Sequence, residues 1–162
     1  MHIEKYSRFM RLIQLAHRGE AQEFLKVLEL KADAKVSGIY SNNKYVLVIS
    51  GEGIPETISK LSYCISKFEV DEILNFGIAG SLNTNVSTDS IIEIRTIYLF
   101  EDGKPKFKSF TTSSASTIDC ITTNKRVLSD EYANELNNFA QVVDRELWGV
   151  GFVAKTFNLP FK

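Results

Sequence analysis

Two glycine-bearing turns, each set directly after an apolar run, constrain this chain more than any other feature. Tyr45–Ile49 (YVLVI) leads into Ser50-Gly51-Glu52-Gly53, and Glu72–Phe76 (EILNF) leads into Gly77-Ile78-Ala79-Gly80-Ser81. Short apolar runs bounded by glycine read as buried strands. After the first turn, Pro55 suits the first turn of a helix, where its missing N–H costs nothing. Ile58, Leu61, Ile65 and Phe68 then recur at helical spacing to about Lys67. Strand, glycine turn and helix in succession form the unit of an α/β fold, and the C-terminal ends of such strands are where open α/β sheets place ligands.

The rest of the chain repeats this alternation. Arg11–Ala16 reads as a strand and Glu20–Leu30 as a helix with Ala21, Phe24, Leu25 and Leu28 on one face. Val36–Tyr40 pairs with Tyr45–Ile49 through the turn Ser41-Asn42-Asn43-Lys44. Ser90–Phe100 is a long β-rich run, and Asp102-Gly103 supplies a two-residue hairpin turn before a strand at Lys106–Thr111. Ser113–Ser116 reads as a flexible loop, Ile118–Thr122 as a strand, Asp130–Asn137 as a helix and Ala140–Val143 as a strand. Glu146–Phe157 reads as a last helix, stopped at Asn158-Leu159-Pro160. The predicted fold is a three-layer α/β sandwich around a central mixed β-sheet, and 162 residues suit a single domain over 1–162.

Charge and cysteine usage exclude several classes. The formal net charge is −1, and the 19 basic residues are dispersed, so the chain lacks the clustered positive excess that nucleic-acid binding requires. Its one basic run, Lys104–Lys108, reads as a solvated hairpin rim. No apolar stretch reaches a membrane span, and Met1–Met10 is too polar for a signal peptide, so the expected location is cytoplasmic. Cys64 and Cys120, the two cysteines, read as buried free thiols. Two histidines without CxxC or HExxH give a metal site no support.

Each candidate site residue carries two readings at this stage. Gly51-Glu52-Gly53 is either a plain turn or a backbone cradle for a polar ligand. Gly77-Ile78-Ala79-Gly80 offers a flat main-chain shelf at a strand end. Asp144-Arg145-Glu146 lies between an apolar strand and an apolar helix. Its acids either accept bonds from vicinal hydroxyls or cap and favour the helix terminus. Glu20 is either a water-positioning base or a first-turn helix acid. His17 is either a titrating group at the site or a loop residue. Trp148 reads as core.

Taken in order, Leu12–Leu25, Ser50–Gly53, Asn75–Ser81 and Val143–Glu146 leading to Leu159-Pro160-Phe161 resemble the purine nucleoside phosphorylase/methylthioadenosine–adenosylhomocysteine nucleosidase superfamily. The resemblance implies a homodimer or higher homo-oligomer that cleaves the N-glycosidic bond of a purine-type nucleoside without metal or organic cofactor. It implies that Glu146 holds the ribose hydroxyls with Arg145 beside it, where the family has methionine. Glu20 would position water, and Ile78, Ala79, Gly80 and Gly53 would border the ligand with main chain. Phosphorylases of the family carry a phosphate-binding arginine where this chain has Asn75, which points to the hydrolytic branch, acting on methylthioadenosine/adenosylhomocysteine or futalosine-like nucleosides. Arg126 falls where the family places an aromatic residue against the base. The family's base-protonating aspartate, its last core strand and its long C-terminal helix would all fall beyond Lys162. A catalytically impaired relative that binds a nucleoside or serves as a structural or regulatory subunit is the alternative expectation.

Overall fold

The structure, a computed structural model, describes residues 10–83 and 85–162. The polar segment before residue 10, read above as lacking a signal peptide, lies outside those residues. The chain forms the expected α/β arrangement of mixed sheets and flanking helices, with its strands hydrogen-bonded as two sheets.

The first sheet is built on β1 (Met10–Leu15), which lies between β4 (Tyr45–Ile49) and β5 (Val70–Asn75), parallel to both. Beyond β4 come β3 (Ile39–Ser41) and β2 (Lys31–Ala32), each antiparallel to its neighbour. The second sheet centres on β10 (Ile118–Thr123), parallel to β7 (Ile94–Glu101) and β11 (Val142–Asp144). Short antiparallel strands edge it: β6 (Gly80–Ser81) on β11, with β8 (Lys104–Pro105) and β9 (Phe110–Thr111) on β7. At the far edge of the first sheet, Phe161 bridges Ile73 in parallel, and Lys162 exchanges backbone bonds with Ile73 and Asn75.

Period-two alternation along the strands assigns their side chains to different cores. Leu12, Val46 and Val48 face one cluster together with Ile97, Cys120 and Val142 of the other sheet. Ile13, Leu15 and Leu47 face the opposite way, onto α1 (Arg18–Val27) through Ala21. Likewise Ile121 and Val143 face α3 (Asp130–Asn137) through Leu136. α4 (Leu147–Thr156) packs on strands of both sheets and on α2 (Ile54–Lys67), which lies against β4. The α4 sequence LWGVGFVAKT is apolar on nearly every side, as a helix enclosed between two layers must be. Each fully buried aliphatic side chain of this shared core contributes roughly 1.5–3 kcal/mol.

Several sequence boundaries are corrected. The first helix ends at Val27 rather than Leu30, because Glu29 adopts a left-handed backbone (φ 52°) and the chain turns into β2. The strand expected at Val36–Tyr40 begins only at Ile39: Asp33 accepts the N–H groups of Lys35 and Val36, which folds that stretch into a turn. Only Ile94 onward of the Ser90–Phe100 run is strand, and Lys106–Thr111 is strand only at Phe110–Thr111. Ser113–Ser116 is pinned by a relay in which the hydroxyls of Thr112, Ser114 and Ser116 each accept the N–H two residues ahead. The Asp102-Gly103 turn forms as expected, with φ of 55° and 72°. Trp148 stacks between Phe110 and Phe152, and both cysteines are buried free thiols.

Candidate functional site

The C-terminal ends of β1, β4 and β5 in one sheet and of β10 and β11 in the other open into loops that meet. The junction is a hydrogen bond of 2.7 Å from the Gly53 N–H, on the β4–α2 loop, to the Glu146 carboxylate, on the β11–α4 loop. The sequence builds the first of these loops from below. Buried Gln14 on β1 donates through Nε2 to Ser50 Oγ at 2.8 Å, and the Gly51 N–H donates to the Ala16 carbonyl. Gly51 and Gly53 take φ of 90° and 97°, a region that penalises any residue with a Cβ. Their conformation turns the Gly53 N–H outward, towards Glu146.

The second loop is set by Asp144. Its Oδ2 accepts the N–H groups of Glu146 and Leu147, and its Oδ1 accepts the Thr122 hydroxyl of β10, which in turn accepts the Trp148 N–H at 3.0 Å. Asp144 thereby folds the turn that leads into α4, whose N-cap position is taken by Glu146 without a side-chain cap bond of its own. Burial pushes its carboxyl pKa up, against the downward pull of these donors. Burial also raises the Glu146 carboxyl, opposed by the Gly53 N–H and reinforced by the nearby Asp144 charge.

Glu20 ties the third loop in. Its Oε2 accepts the N–H groups of Ala16 (3.1 Å) and His17 (3.0 Å), which is the first-turn helix role. Its Oε1 accepts the Ile78 N–H at 3.2 Å, so it also holds the Gly77–Gly80 shelf against β1. The shelf itself is open to solvent, with Ile78 88% exposed, and its far end pairs with β11 through Gly80 and Val143.

Glu52, between the two glycines, is the centre that sequence reasoning missed. Arg126 Nη2 lies 3.1 Å from each of its carboxylate oxygens, Arg145 Nη1 donates to Oε2, and His17 Nε2 stands 3.3 Å from Oε1. The bond from Arg126 is the main reason its pKa is held below the ordinary glutamate value. A glutamate flanked by glycines reads locally as a solvated turn residue. Its partners lie 74 and 93 positions away, so no local signal marks it. Two cavities, of about 590 and 510 Å³, lie elsewhere, one beside the α4 C-terminus at Lys155 and one beside the β7–β8 hairpin at Asp102. Among the described residues, no group of three or more His, Cys, Asp or Glu side chains is placed to hold a metal, and no helix is long and apolar enough to cross a membrane.

All seven sequence-predicted residues therefore lie at one edge: Glu20 in the first turn of α1, Ile78, Ala79 and Gly80 on the shelf after β5, Gly53 on the β4–α2 loop, and Arg145 and Glu146 on the β11–α4 loop. The phosphorylase superfamily model matches residues 8–141, which carry β1, both glycine turns and most of the second sheet. The chain belongs to the phosphorylase superfamily. Among solved structures of similar fold, the native futalosine hydrolase of Helicobacter pylori is 19% identical at a TM-score of 0.74, covering 95% of this chain and 82% of that one. The Helicobacter pylori 5′-methylthioadenosine/S-adenosylhomocysteine nucleosidase complexed with a substituted pyrrolidin-3-ol gives 18% and 0.72, over 95% and 82%. The corresponding Neisseria meningitidis enzyme, in complex with methylthio-immucillin-A, gives 16% and 0.71 over the same shares. Among curated proteins, no match is found.

Proposed function

We propose that the protein binds a purine-type nucleoside at the strand-exit cluster and cleaves its N-glycosidic bond with water as the nucleophile. The observation that carries this reading is Glu146. One carboxylate oxygen is fixed by the Gly53 N–H, at the meeting point of the glycine turn and the β11–α4 loop. Among the described residues, no other side chain bonds the carboxylate. A half-buried carboxylate held in this way is suited to accept paired bonds from vicinal ribose hydroxyls.

In the reaction, the C1′–N bond breaks with its electron pair passing to the base, which takes up a proton. The oxygen of water bonds to C1′ and gives up a proton. Glu20 orients that water with the remaining acceptor capacity of Oε1, the oxygen that also holds Ile78. Asn75 ends β5 with a neutral side chain, and phosphate capture needs charge-assisted bonds, which favours water over phosphate at that strand. Methylthioadenosine, adenosylhomocysteine and futalosine-like nucleosides are the substrates proposed, because proteins of this fold include nucleosidases for them. A homo-oligomer in the cytoplasm belongs to the same proposal, the two free thiols suiting a reducing compartment.

A second reading, nucleoside binding without turnover, is favoured by one specific feature: the Glu20 carboxylate already accepts three backbone N–H groups. Incubation with methylthioadenosine, adenosylhomocysteine, inosine and futalosine, followed by chromatography for free base, separates the two. Release of base that disappears in Glu146→Ala is the expected result. Saturable binding without release selects the second reading, and neither release nor binding overturns both.

A further inference from the structure

Glu52 is itself an oxyanion bound by a cationic cluster. Its carboxylate takes both guanidinium contacts of Arg126 and one from Arg145, with His17 at 3.3 Å. All four side chains are partly open to solvent, at 33% for Glu52, 65% for Arg126, 29% for Arg145 and 55% for His17, so as a stabilising device the cluster is worth little. Two guanidinium groups drawn together also repel each other unless an anion lies between them. Arg145 keeps a buried Nε–H with no hydrogen-bond partner, half of a fork built to take two oxygens at once. The other acids near Arg145 are engaged elsewhere: Glu146 with Gly53, and Asp144 with Thr122 and the start of α4. The resident carboxylate is one-third exposed, so rotation about its own side-chain bonds can carry it into solvent while the hydrogen bonds of Gly51 and Gly53 hold the loop in place.

We propose that Arg126 and Arg145 form a subsite for an oxyanion carried by the nucleoside, a phosphate monoester or a carboxylate, and that Glu52 fills this subsite until the ligand displaces it. The inference rests on the nucleoside reading above and narrows the ligand to an anionic nucleoside. Arg145 adjoins Glu146 in sequence, so a ligand whose hydroxyls engage Glu146 brings a charged substituent within reach of the same loop. Guanidinium pairs suit planar or tetrahedral oxyanions, and a neutral nucleoside offers them nothing that would compensate for the lost Glu52 contacts.

Calorimetric titration with adenosine, adenosine 5′-monophosphate, adenosine 5′-carboxylate and inorganic phosphate tests the subsite. At low salt, at least one anionic nucleoside binds roughly tenfold or more tightly than adenosine, as charge-assisted bidentate contacts imply. That advantage shrinks in high salt, is lost in Arg126→Gln and in Arg145→Gln, and grows in Glu52→Gln. Arg126 is the most exposed of the group, so R126Q keeps the test valid if R145Q fails to fold; circular dichroism checks each variant. Which anionic nucleoside gains more identifies phosphate or carboxylate as the group. Arginine-dependent binding of inorganic phosphate with no advantage for either anionic nucleoside overturns the proposal that the nucleoside carries the oxyanion. If adenosine binds as tightly as both anionic nucleosides, and that binding is lost in Glu146→Gln, the subsite is overturned while the nucleoside reading stands. An anionic advantage that survives both arginine substitutions also overturns it. If no probe binds, the subsite is overturned, and the base-release assay above decides the nucleoside reading by itself.

Discussion

At the residue scale, Glu146 stands in a conflict between stability and use. Its carboxyl is half-buried and its pKa is raised, chiefly by burial, so the folded protein favours its protonated form. The stabilisation from that form is fully present below the ordinary value of 4.5 and is lost as pH rises through the raised folded value. Near neutrality the ionised group therefore costs stability. Gln at this position keeps an oxygen for the Gly53 N–H and removes the charge. Glu146→Gln is accordingly expected to gain about 0.5–2 kcal/mol at pH 7, the usual yield of relieving one such conflict. Its advantage should vanish as pH falls below 4.5, and it should abolish saturable nucleoside binding. Urea denaturation at pH 7 and pH 4, read beside a binding titration, checks all three; a variant less stable than the parent at pH 7 would contradict the account. Glu52 shows the opposite sign, since its pKa is lowered by Arg126, and its contribution fades as pH drops.

At the element scale, the position of the Gly53 turn depends on how closely α4 approaches α2. A Cβ on Gly149 would lie 3.2 Å from the Ile54 carbonyl oxygen and 3.4 Å from its Cα, which is backbone and cannot rotate away. Ile54 begins α2 directly after Gly53, so widening this contact moves the turn relative to Glu146. In an exposed helix, glycine to alanine gains about 1 kcal/mol from propensity. Here overpacking should win, and Gly149→Ala should lose about 1–3 kcal/mol. The loss should appear as a lower denaturation midpoint together with weaker nucleoside binding. An unchanged midpoint would mean that the two helices adapt at no cost. The same scale explains which boundaries were legible. An apolar run such as Tyr45–Ile49 stands out because both of its faces are buried. The start of β3 does not, because a turn bonded to Asp33 decides where pairing begins.

At the scale of the whole molecule, the two sheets share one core. Leu12, Val46 and Ile73 from the first pack in the same cluster as Ile97, Cys120 and Val142 from the second, with Val150 and Val153 of α4 among them. Neither sheet can open without exposing that cluster, so unfolding should be a single cooperative event. Trp148, the one tryptophan, lies on α4 and reports on the middle layer. Its fluorescence and the far-UV circular dichroism signal should follow the same urea transition. Two separated midpoints would show that the sheets fold as independent units.

The chain's own order of residues determined the α/β class, the two glycine turns and the positions that line the strand exits. Those depend on local rules: alternation of apolar residues, backbone freedom at glycine, proline at a helix start. Tertiary structure alone decided that the strands divide into two sheets packed on α4. It also decided what each acid touches, since Asp144 bonds the backbone that leads into α4 while Glu146 accepts the Gly53 N–H of the other sheet's loop. The clamp on Glu52 likewise exists only in three dimensions. Its arginines leave the ends of β10 and β11, and they reach a loop of the other sheet because the shared core holds the two strand edges together.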